Sequence, residues 1–296
     1  MATRKKNGLD RRMKRVLTEL GVLAGTLVVL ILLISMLWSK GGGEEKKPEN
    51  DQTQPSTGTS TEAPPETTVP KDTSPEWIWD AYLQAHDLTE ADYTEGMMEA
   101  YNHFPEVRDF ILAIPLEKGR AAKDDISGED RSDGVPLFLQ WDQRWGYTEY
   151  GNGVCGLSGC GPTSLSMVAY YLTGESKYTP VYMMEFATEN GYVGPSGGTN
   201  WTLFQEGPEK LGLKSREIPL HEGTMAKYLR EGTPIVINVG PGDFTLNGHY
   251  MVLVGYEDGM FQLNDPFSLE KSQKLWSYEQ IEGQIENLWA ITLAES

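Results

Sequence analysis

Little in this sequence can bind a metal or cross-link a small fold. It has two cysteines, Cys155 and Cys160, and four histidines in 296 residues. Two cysteines make at most one disulfide, which excludes a cross-linked mini-domain. No Cys/His cluster has the spacing of zinc ligands, and HExxH, GxxxxGKS/T and GxGxxG are all missing, so no metal and no organic cofactor is expected. Cations are also scarce: 25 Lys and Arg stand against 43 Asp and Glu, for a net charge of −18. Residues 1–15 hold seven of those cations against one acid, Asp10, so this stretch is +6 and the remainder −24. Such an acidic body argues against nucleic acid, whose binding draws on cationic neutralisation of phosphates.

What is present begins with one apolar run. Leu20–Trp38 is 19 residues without a charge, which as a helix spans about 28 Å, close to the roughly 30 Å of a bilayer's hydrocarbon core. Trp38 sits at one edge and the Lys/Arg cluster beyond the other. The sequence therefore predicts a cytoplasmic basic tail over 1–15 and a single-pass transmembrane anchor over 16–39, inserted in a lipid bilayer with the rest of the chain outside the cell. The run is too long for a signal peptide, and no Ala-x-Ala follows it. Residues 40–74, rich in Gly, Glu, Lys, Pro, Thr and Ser, cannot bury a core and predict a disordered linker.

From residue 75 apolar side chains return. Trp77, Ile78, Tyr82 and Leu83 are spaced for one helix face, Thr89 can cap a second helix reaching Tyr101, and Pro105 can open a third bearing Val107, Phe110, Ile111 and Ile114. Residues 75–134 thus read as a small helical segment followed by a polar loop, and 135–296 as the main domain.

Two regions of the main domain carry chemistry. In Cys155-Gly-Leu-Ser-Gly-Cys160-Gly-Pro-Thr-Ser, Pro162 suits a first helical turn, Leu165, Val168, Ala169 and Leu172 follow at helical spacing, and Gly174 suits the stop. Cys160 then lies at a helix N-terminus, where unsatisfied N–H groups and the macrodipole favour an anion such as a thiolate. Cys155 lies in a Gly-rich loop; a bond to Cys160 is open to it under oxidising conditions. The second region holds three short strands: Pro234–Val239, His249–Tyr256 and Phe261–Asp265, the last two joined by an Asp258-Gly259 turn. His249 begins one strand and Asn264 and Asp265 end its neighbour, which brings an imidazole beside a group able to orient it. With a two-residue turn, strict alternation puts Asn264 on the face of His249; one bulge moves Asp265 there instead.

Taken with Val135-Pro-Leu-Phe-Leu-Gln140-Trp-Asp-Gln-Arg-Trp-Gly, these segments resemble the papain-like cysteine peptidases of the bacteriocin-processing, double-glycine peptidase type. The matching pieces are VPLFLQWDQRWG, SGCGPTSLSMVAYYLTG, GHYMVLVGY and NDP. The resemblance implies an α+β, papain-like fold in which a nucleophile helix packs on an antiparallel sheet. It implies Cys160 as nucleophile, His249 as general base, Asp265 as third member and Gln140 as oxyanion donor. The 20-residue interval from Gln140 to Cys160 is longer than in the processing peptidases, which leaves Gln143 as a rival. The ATP-binding region of exporter-fused members does not occur here. The Gly-rich stretches Gly194–Trp201 and Gly240–Asn247 offer Trp201 and Phe244 as walls for substrate.

The expected activity is hydrolysis of peptide bonds outside the membrane, on a peptide or protein. A peptidoglycan amidase or endopeptidase of the same thiol chemistry is the nearest alternative, and a silent binding module displayed on a stalk the more distant one.

Overall fold

The computed structural model describes residues 74–294. The expected basic tail and membrane anchor, and all of the expected linker but Ser74, lie outside the described residues. Among the described residues no helix is long and apolar enough to cross a membrane. The helical segment and the main domain belong to one compact unit.

Three helices come first. Ser74 is the N-cap of α1 (Pro75–His86), its hydroxyl accepting from Trp77 N, and Asp87 ends it in the left-handed conformation. The second helix is shorter than its sequence suggests. Thr89 caps only a single 3₁₀ turn, Glu90–Asp92, and Thr94 caps α2 (Glu95–His103). Two cap residues five apart split one apolar period into two elements. After a 3₁₀ turn at Pro105–Val107, α3 runs over Arg108–Glu117. Trp79, Tyr101, Ile111 and Ile114 pack with Tyr147 and Val154, so the segment shares a core with the rest of the unit.

Next come a small hairpin, β1 (Glu149–Tyr150) with β2 (Gly153–Val154), and a one-turn helix, Cys155–Ser158. The sequence reading treated Cys155 as loop; the turn it begins is too short to leave a periodic signature. Then follow α4 (Cys160–Thr173), α5 (Pro180–Glu189), β3 (Leu213–Glu217), α6 (Glu222–Arg230), β4 (Ile235–Val239), β5 (His249–Glu257), β6 (Met260–Asn264), β7 (Leu275–Ser277) and β8 (Ile285–Leu293). The strands form a six-stranded antiparallel sheet in the order β3-β8-β4-β5-β6-β7.

Alternation along the central strands divides two cores. Val236, Tyr250, Val252, Trp289 and Ile291 face α4 and α5, while Ile235, Ile237, Met251, Leu253 and Leu288 face α6 and the C-terminal turns. Because α4 lies between the sheet and α5, every residue from Gly161 to Tyr170 is buried. Gly174 stops it at φ 73°. The mixed helix-and-sheet class agrees with the sequence reading.

Candidate active site

The start of α4 and the start of β5 meet at one cleft of about 820 Å³, lined by Cys160 and His249. Cys160 is the first residue of its helix; Pro162 has no N–H and Thr163 N already bonds Gly159 O at 3.0 Å, which leaves the N–H groups of Cys160 and Gly161 at the mouth of the helix. Its thiol is half-buried. His249 is 6% exposed. Its Nε2 bonds Asp265 Oδ1 at 2.7 Å, and the ring faces the same cleft as the Cys160 sulfur, close enough for the two to interact electrostatically. With Nε2 committed, Nδ1 is the nitrogen left for the sulfur.

Burial alone lowers the imidazole's pKa. The adjacent Asp265 carboxylate and its hydrogen bond, joined by the contact with Cys160, outweigh that effect and push it up to about 10. The ring therefore holds its proton at neutral pH beside the sulfur.

Asp265 is fixed from several sides. Its Oδ1 also accepts from Phe267 N at 2.8 Å, its N–H donates to Ser272 Oγ at 2.8 Å, and its side chain is wholly buried. A bulge selects this residue. The ladder pairs Glu257 with Met260 and Gly255 with Gln262, then skips Val254, so that Leu253 pairs with Leu263 and Val252 with Asn264. The skipped residue turns Asp265 toward the face of His249. Asn264, the alternative third member, is thereby excluded from the imidazole. Its Nδ2 instead donates to the carbonyls of Val135 and Pro136 at 3.0 and 3.1 Å.

Gln140 is 1% exposed and lines the same cleft. Its Nε2 donates to Gly156 O at 3.0 Å and more weakly to Cys155 O at 3.4 Å, while Oε1 has no partner. The amide thus braces the turn before Cys160. Gln143 is exposed and does not line the cleft.

The stretch Gly194–Trp201 forms one wall. Trp201, 43% exposed, donates from Nε1 to Asn238 Oδ1 at 2.9 Å, and Asn238 Nδ2 donates to His249 O at 3.1 Å. Phe244 also reaches the cleft but is only 2% exposed, its ring 4.6 Å from that of Trp276. It belongs to the core as much as to the wall.

Sequence reading missed Tyr150 and Tyr250, whose hydroxyls hold Thr199 at its Oγ1 (2.8 Å) and carbonyl (3.1 Å). Burial raises both phenols' pKa and keeps them neutral; Tyr250 donates to the carbonyl, while at the Tyr150–Thr199 contact either hydroxyl can donate. A Cβ on Gly161 would lie 2.8 Å from the Thr199 side chain, so only glycine lets the wall approach the helix this closely. Also missed were Met97, Ala100 and Phe104, which bring the N-terminal helices into the cleft. Periodicity marked that segment as helical but gave no signal of where its faces dock.

Both thiols are free. Cys155 is fully buried. Burial, with a smaller contribution from the charge of Cys160, pushes its pKa up to about 12 against the opposing bond from Thr163. Among the described residues no group of His, Cys, Asp and Glu is arranged to hold a metal ion.

Three solved structures similar to this chain are a peptidase domain, a putative peptidase and a protease. That of Streptococcus ComA, a bi-functional ABC transporter involved in a quorum sensing pathway, is 25% identical, with a TM-score of 0.39, over 55% of this chain and 99% of that one. A putative C39-like peptidase from Bacillus anthracis is 20% identical, with a TM-score of 0.34, over 58% of this chain and 98% of that one. A double glycine motif protease from an AMS/PCAT transporter, solved in complex with the leader peptide, is 18% identical, with a TM-score of 0.35, over 60% and 97%. No curated protein matches the chain. The Peptidase_C39 like family matches residues 132–295, more than half of the 296. By that match the chain belongs to the Peptidase_C39 like family of peptidases.

Proposed function

We propose that this chain is a membrane-anchored cysteine peptidase that hydrolyses peptide bonds outside the cell, with Cys160 as nucleophile, His249 as acid and base, and Asp265 as the group that orients the imidazole. The observation that carries the reading is the placement of the Cys160 sulfur and the His249 imidazole on one cleft, with the imidazole bonded to a buried carboxylate behind it and room in the cleft for several peptide residues.

The chemistry follows from that order. The Cys160 sulfur attacks the substrate carbonyl carbon, and the carbonyl π electrons move to oxygen. The resulting oxyanion takes hydrogen bonds from the opening turn of α4 and from Gln140 Nε2, which gives up its long contact to Cys155 O to do so. The carbon–nitrogen bond breaks as His249 Nδ1 hands its proton to the leaving amine. Water then attacks the thioester while the now neutral imidazole takes its proton, and the carbon–sulfur bond breaks to release the peptide acid and restore the Cys160 thiolate beside the imidazolium. Throughout, Asp265 keeps Nε2 protonated and the ring aligned.

The location outside the cell rests on the uncharged run Leu20–Trp38 and the cations before it. The division into tail, anchor, linker, helical segment and peptidase domain rests on the same change in composition.

A peptide-library digest with the full chain tests the activity. Cleavage by the wild type that is lost in Cys160→Ala and His249→Ala is expected. Cleavage that survives Cys160→Ala, or release of muropeptide fragments with no cleavage of the library, refutes the reading.

A further inference from the structure

One carboxylate of the segment before the family-matched region reaches toward the catalytic centre. Glu106, in the turn between α2 and α3, lies 162 positions before Ser268. Ser268 Oγ donates to its Oε1 at 2.6 Å, and Leu269 N donates to its Oε2 at 2.8 Å. Glu270 N adds longer contacts of 3.3 and 3.4 Å. Together these cap the short helix Leu269–Ser272 from a distant part of the chain.

That short helix is what holds Asp265. Ser272 Oγ accepts from Asp265 N and donates to the carbonyls of Ser268 (2.8 Å) and Asp265 (3.2 Å). A second link runs parallel to the first: the ring of Phe104 meets Phe267 edge-on at 5.1 Å, and Phe267 meets His249 edge-on at 6.4 Å. Phe104 and Glu106 flank Pro105, whose fixed φ limits their relative freedom.

We propose that Glu106 is a positioning residue of the catalytic centre, clamping the 268–272 turn so that Asp265 stays in register with His249. This rests on the reading of Cys160, His249 and Asp265 given above. It makes the helical segment a working part of the peptidase, although the family match begins at residue 132.

The test is alkylation of the full chain by iodoacetamide, followed at Cys160 by mass spectrometry from pH 5 to 11. The imidazole is faced by Asp265 and Cys160, and the other ionisable groups lining the cleft are Glu99, Glu286 and Tyr250. Glu106 is faced across its shallow pocket by His103, Asp243, Glu270 and Lys271. Against this setting, Glu106→Ala is expected to slow labelling at neutral pH about tenfold and to move the alkaline step in the profile down by a pH unit or more. Glu106→Gln, which keeps an accepting oxygen for the cap, should restore labelling to within about threefold of wild type. Peptide hydrolysis should lose kcat with KM held.

A Glu106→Ala profile identical to wild type overturns the proposal. If that variant does not fold, Ser268→Ala decides the matter, because it removes the shortest leg of the clamp and keeps the carbonyl that Ser272 uses. A smaller shift in the same direction supports the clamp, and no shift overturns it. His249→Ala in the same labelling series, and Cys160→Ala in the hydrolysis assay, keep two failures apart. An alkaline step that survives in His249→Ala, or hydrolysis that survives in Cys160→Ala, counts against the catalytic reading, not against the clamp alone.

Discussion

Replacing Asp265 by Asn tests the site most sharply, because it keeps the shape of the side chain and removes only its charge. A rise of the His249 pKa from 6.5 to about 10 corresponds to roughly 5 kcal/mol of preference for the imidazolium. The asparagine Oδ1 can still accept from Phe267 N, so the turn has a means of surviving the change. Burial remains, and it drives the imidazole below its ordinary value. At pH 7 the protonated fraction then falls from nearly complete to less than about a quarter. The alkaline step in Cys160 alkylation should move from near pH 10 to below pH 7, and kcat/KM at neutral pH should fall by at least about 100-fold. Stability carries a matching signature. A folded-state pKa raised above its unfolded value contributes stability that is whole below about pH 6.5 and lost as pH rises toward 10. The wild type should therefore lose thermal stability across that window in excess of Asp265→Asn. An alkaline step that stays near pH 10 in Asp265→Asn, in a folded protein, refutes the electrostatic reasoning.

Three further outcomes follow from particular contacts. In the folded chain iodoacetamide should modify Cys160 alone, with Cys155 reacting only after unfolding; mass mapping before and after denaturant reads this directly, and early labelling of Cys155 contradicts its burial. Gln140→Ala should lower kcat by about 10²-fold with KM little changed, since the amide is asked to act on the oxyanion; an equal rise in KM with unchanged kcat contradicts that role. Gly151→Ala adds a Cβ 2.0 Å from Gly197 O at a φ of +59°, so neither backbone nor neighbour can accommodate it. It should cost about 2–3 kcal/mol and lower Tm by about 5–10 °C, read by calorimetry.

Much of this was legible before any coordinates. The proline and the glycine that bound α4, the strand of β-formers beginning at His249 and the Asp258-Gly259 turn are local signals, and each element appears close to where they point. What stayed hidden depended on contacts between distant parts. Nothing near Val254 announces a bulge, since Leu253, Val254 and Gly255 all fit an extended strand, yet that one skipped residue separates Asn264 from Asp265. The docking of α2 over the cleft could not be read either, because its apolar face would suit any partner of similar shape. Gln140 illustrates the limit of motif reading. Its position in the cleft follows from the segment that carries it, but its present bonds to Gly156 and Cys155 depend on a one-turn helix too short to be predicted.

The skipped residue in β5 has an evolutionary corollary. Deleting Val254 would restore strict alternation and still leave the carboxylate on the face of His249, because the ladder already passes over that residue. A lineage could thus lose the irregularity by a one-residue deletion and keep its aspartate-type triad, with no codon in the Asn-Asp-Pro triplet altered.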